Sequence, residues 1–145
     1  MPSATPFNES FANFVGYHAA ERFFQARGDT VSAREALAGW ERELRADRFF
    51  ERLATRLDSL YESSADTAVL DRGREAIFRE AREAVGRPAW DLNNALVIAA
   101  RLYRTDLPIF DRWLELSNGD IVRAVATIEE RVRDRDDPYA ALRAP

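Results

Sequence analysis

The stretch Ser32-Ala33-Arg34-Glu35-Ala36-Leu37-Ala38-Gly39-Trp40-Glu41-Arg42-Glu43-Leu44 decides the fold class. Leu37, Trp40 and Leu44 stand three and four residues apart with charges between them, the period of a helix that buries one stripe. Ser32 and Glu35 have the spacing of a capping box, in which each side chain satisfies a free backbone donor. The stripe continues through Phe49, Phe50, Leu53, Leu57 and Leu60 with a small phase slip, which implies a bend or a division into two shorter helices. Ser63-Ser64-Ala65-Asp66 then reads as a turn.

Working outward, the same period returns in every other segment. A first helix is expected over residues 8–27, with Phe7, Phe11, Phe14, Val15 and Phe23 on one broad apolar face and Gly28 ending it. A third, over 67–85, carries Leu70, Ile77, Phe78, Ala81 and Val85. The short loop before it predicts that it runs antiparallel to the second. A fourth, over 92–104, is apolar nearly all round, which predicts a central buried helix. A fifth over 107–116 and a sixth over 120–133 complete an all-α fold of about six helices that includes a long helical hairpin. No strand pattern and no internal repeat occurs. The expectation is one helical domain over 1–134, with the charges of Asp134-Arg135-Asp136-Asp137-Pro138 opening a solvated tail over 135–145.

Composition narrows the function. The 145 residues are 46% hydrophobic and 32% charged, a globular balance. The 21 basic residues, all Arg, face 25 acidic ones for a net charge of -4, and no basic run is present. That argues against nucleic acid as a partner, because phosphate contacts need clustered positive charge. Cys is absent, so thiolate metal ligands are excluded. No apolar run approaches the roughly 18 residues of a membrane span. The first six residues, Met1 to Pro6, have neither the basic residue nor the apolar stretch of a signal peptide.

The chemistry concentrates in Phe7-Asn8-Glu9-Ser10-Phe11-Ala12-Asn13-Phe14-Val15. On a helix, Glu9 shares its face with Ala12, Asn13, Gly16 and Ala20, all small, and lies about 200° round from Phe11. Gly inside a helix costs roughly 1 kcal/mol relative to Ala. A second segment approaching closely would explain it, with Glu9 pointing toward that neighbour. Taken alone, Glu9 also reads as a carboxylate favoured near a helix N-terminus. His18, the only His, falls on the opposite face and reads as an ordinary, partly buried imidazole. Asn93 and Asn94 read as caps of the fourth helix or as lining of a substrate cleft. Tyr103 reads as a core tyrosine or as a hydroxyl donor at such a cleft.

Asn8-Glu9-Ser10-Phe11-Ala12 resembles the glutamate motif of the gluzincin metallopeptidases, in particular that of a family of predicted bacterial zinc aminopeptidases. Phe23-Phe24-Gln25-Ala26-Arg27-Gly28-Asp29, Leu92-Asn93-Asn94-Ala95 with Tyr103, and Asn118-Gly119-Asp120 are similar to later stretches of that family. The resemblance implies a C-terminal helical subdomain that hydrolyses peptides only within an intact protein. There Glu9 would be the third zinc ligand, Asn8 and Asn13 would support it from behind, and Asn93, Asn94 and Tyr103 would border the substrate cleft. The family's two imidazole ligands and general base come from His-Glu-x-x-His, and this sequence contains no such motif. The resemblance therefore implies zinc in the intact family protein but none held by this chain alone, and a partner segment bearing His-Glu-x-x-His. An internal start or a truncated reading frame would account for the gap. In the family the missing front part looks like a lipoprotein-type signal followed by the remaining ligands. The alternative is a non-catalytic, all-helical partner-binding module.

Overall fold

Seven helices make up the computed structural model, which describes residues 4–143, and no strand occurs among them. They are α1 (Ala4–Ala26), α2 (Thr30–Ser63), α3 (Thr67–Ala84), α4 (Asn94–Tyr103), α5 (Pro108–Leu116), α6 (Ile121–Val132) and α7 (Pro138–Arg143). The contacts group into two compact units: residues 4–47 with 102–143, and Arg48–Arg101.

In the first unit the core is aromatic. Phe7, Phe14 and Trp40 pack with Leu107, Phe110, Trp113, Ile128, Tyr139 and Leu142. Phe14 stacks on Phe110 at 5.5 Å between ring centroids and meets Trp40 edge-on at 5.6 Å. Offset and edge-on pairs of this kind add about 0.5–1.5 kcal/mol each beyond area burial. α6 packs against α1, α5 and α7. In the second unit Leu53, Ala54 and Leu57 of α2 meet Ile77, Phe78 and Ala81 of α3, with Leu92 and Val97. Gly73 sits on Leu60, and Arg56 pairs with Glu80 at 2.6 Å. As α2 positions descend, α3 positions ascend, so this pair is antiparallel, as the short turn predicted.

These units explain the phase slip in α2. The helix does not divide into two elements. It is one continuous helix whose Ala33–Trp40 stripe serves the first core and whose Leu53–Leu57 stripe serves the second. Its start also differs from the capping box. Asp29 accepts the Ser32 N–H at 3.0 Å and the Ser32 hydroxyl at 2.7 Å, so Asp29 is the capping side chain and Ser32 lies inside the first turn.

Other departures have simple causes. α1 begins at Ala4, before the expected residue 8, because Pro6 falls where a helical N–H has no intrahelical partner. Phe23 is 54% exposed. Sixteen residues at about 100° each carry it to the far side from Phe7. α4 is not a buried central helix: Val97 and Ala100 are covered, whereas Ile98 is 68% exposed and Leu96 36%. The expected tail over 135–145 instead contains α7, whose Tyr139 and Leu142 enter the first core. The charges of Asp134-Arg135-Asp136-Asp137 mark only the linker before it.

Candidate functional site

Glu9 stands in the second turn of α1, half-buried. The first turn of α1 carries no acidic residue, so the helix-terminus reading of Glu9 loses its basis. Among the described residues, no hydrogen bond or ion pair engages the Glu9 carboxylate. Beside it Ala12 and Gly16 are exposed, and a Cβ added at Gly16 would meet nothing within 4 Å. The close neighbour that Gly16 implies is therefore not among the described residues.

Asn13 donates from Nδ2 to the Tyr103 carbonyl at 3.2 Å. The Tyr103 side chain is 45% exposed, which removes the core-tyrosine reading. Glu9, Asn13 and Tyr103 thus lie in the same unit, with the amide of Asn13 joining α1 to the end of α4. Asn8 is exposed.

A buried polar cluster that the sequence reading missed holds this end of α1. Ser10 is fully buried, and its hydroxyl accepts the Thr105 N–H at 3.0 Å. Tyr139 donates to the Thr105 carbonyl at 2.9 Å. Burial pushes the Tyr139 phenol up to about 12, with Asp106 and Asp47 nearby adding to the rise. Asp47, 4% exposed, accepts the Leu107 N–H at 3.2 Å. The segment joining α4 to α5 is therefore fastened to α1, α2 and α7 together. The signal for Ser10 and Asp47 was present: each is a polar residue at a helical spacing inside an apolar stripe, Phe7-Ser10-Phe14 and Trp40-Leu44-Asp47.

His18 is 7% exposed, edge-on to Phe14 at 4.9 Å and to Trp40 at 5.7 Å. Its Nδ1 lies 3.4 Å from Glu21, and among the described residues its Nε2 has no hydrogen-bond partner, with Asp111 4.0 Å away. Asp111 accepts the Trp40 indole N–H at 2.7 Å. His18 is thus a core imidazole on the side of α1 away from Glu9.

Asn93 and Asn94 belong to the second unit. Asn93 Oδ1 accepts the Leu96 N–H at 3.1 Å and so caps α4, while Asn94 Oδ1 accepts the Tyr61 hydroxyl at 3.0 Å. Both also line an open cleft of about 540 Å³ with Arg74, Glu75, Phe78, Arg82 and Asp91. Arg82 is paired with Glu75 at 2.9 Å and Arg74 with Asp71 at 2.8 Å, so both guanidiniums are already engaged.

A zinc centre of the gluzincin type needs three protein donors and an open position. Among the described residues no group of three His, Asp or Glu side chains converges on one point. Glu9 offers one oxygen donor, and the only imidazole faces the other way.

Among the described residues the fold is all-helical, and the Glu9 carboxylate has no partner beside the exposed Ala12 and Gly16. Residues 1–138 match the family described as "Putative aminopeptidase", and the chain belongs to that family. Comparison with curated proteins and with solved structures yields no match.

Proposed function

We propose that this chain is the helical portion of a zinc aminopeptidase of the gluzincin type, in which Glu9 supplies the carboxylate ligand. The observation that carries this reading is the half-buried Glu9 carboxylate, without a partner among the described residues, beside the open Ala12–Gly16 surface. A helix bearing His-Glu-x-x-His, outside these residues, would pack on that surface and bring the two imidazoles and the general base. Zinc held there would activate water for attack on the first peptide bond of a substrate. The chain's own contribution is positional. Asn13 is held by the Tyr103 carbonyl, and Ser10 and Tyr139 fix the segment beside it. Rotation of α1 out of register is thereby resisted. Tyr103, with its exposed side chain, would border the substrate.

Three measurements test the proposal. The chain alone, with zinc added, is expected to give no chelator-sensitive hydrolysis of an aminoacyl p-nitroanilide; robust turnover by the pure chain would overturn it. The coding sequence upstream, read in all three frames, is expected to contain His-Glu-x-x-His, and the joined protein is expected to bind one zinc that Glu9→Gln releases without loss of helical signal. Full zinc retention by that variant would remove Glu9 from the ligand set. A stable monomer indifferent to zinc, with no such motif upstream, would favour a non-catalytic helical binding module.

A further inference from the structure

We draw no further inference here: the strongest candidate, the apolar groove between α1 and α6 lined by Val15, Ala19, Ile121 and Val125 and edged by the exposed Phe23 and Val122, is an unpartnered face, and nothing among the described residues shows what covers it.

Discussion

Replacing Gly16 by Ala should stabilise the chain, whereas the same change at Gly39 should not. Both glycines lie inside helices of the first unit, so each substitution gains the same intrinsic term, roughly 1 kcal/mol. At Gly16 the added methyl meets nothing within 4 Å, so the gain stands undiminished. At Gly39 the methyl would lie 2.4 Å from Cε1 and 2.9 Å from Cδ1 of Tyr17. The Tyr17 ring must then move off its place against Trp40, where the centroids are 6.3 Å apart. Overpacking of this kind costs about 1–3 kcal/mol. The propensity gain cancels in the comparison, so the two variants should differ by about 1–3 kcal/mol, with Gly16→Ala the more stable. A 1 kcal/mol change moves the melting temperature by about 2–4 °C in chains near this length. Urea unfolding followed by far-ultraviolet circular dichroism measures both midpoints directly. Gly16→Ala less stable than the parent chain, or the two variants indistinguishable, would refute the reasoning. In the joined protein, where the proposal places a helix against Gly16, the same methyl should lower zinc occupancy even as it helps the isolated chain.

The Tyr139 phenol, pushed up to about 12 from an ordinary value of 10.0, stabilises the fold in full below pH 10 and loses that contribution as pH rises toward 12. The loss should stay below the roughly 2.7 kcal/mol of a two-unit shift, because solvent partly screens the group, and Tyr139→Phe should flatten that part of the stability profile. Asp120 is held below the ordinary carboxylate range, first by the Arg123 backbone N–H and further by that of Val122. Its cap on α6 should persist at pH 4 and weaken only in stronger acid, where Asp120→Asn should show a shallower acid limb. Leu57→Ala opens the second core at a residue 3% exposed and should cost about 2–5 kcal/mol. Amide exchange should show the opening in α3 first; unchanged protection there would contradict the packing of Leu57 on that helix.

Helix period was legible in the sequence because it is local. Each apolar stripe repeats within one element, and the all-helical fold with its α2–α3 hairpin follows from that alone. What each stripe packs against is not local. The shift between Trp40 and Leu53 carried the information that two cores exist, but a bend or a break produces the same slip. Apolar composition also misled at α4. Ile98 is as apolar as Val97, yet a ten-residue helix serving one small core covers only one side. The C-terminal segment failed for the opposite reason. Four charges in succession outweighed Tyr139 and Leu142, whose burial depends on Trp113, Phe7 and Phe110 elsewhere in the chain. At the site, the spacing around Glu9 showed which residues share its face. That Asn13 would bond the Tyr103 carbonyl, ninety residues away, has no sequence signature.

The choice between the proposed zinc-ligand role of α1 and a self-contained module turns on how the two long helices treat exposed positions. α2 fills them with charge: Glu41, Arg42, Arg45, Arg48, Glu51 and Arg52 are all exposed. Such side chains suit water, and they are also good helix formers. Between Asn8 and Ala20, α1 fills them with Asn8, Ala12, Gly16 and Ala19. A helix meant to face solvent gains nothing from Gly, which costs roughly 1 kcal/mol, nor from giving up the charged residues that its neighbour uses. Small side chains serve a different end, the close approach of another backbone. The same face carries a carboxylate with no partner among the described residues, which in a covered position would need a cation or donors to match it. Both features of α1 are costs in an isolated module, and both become useful once a helix that brings positive charge or a metal lies against Gly16.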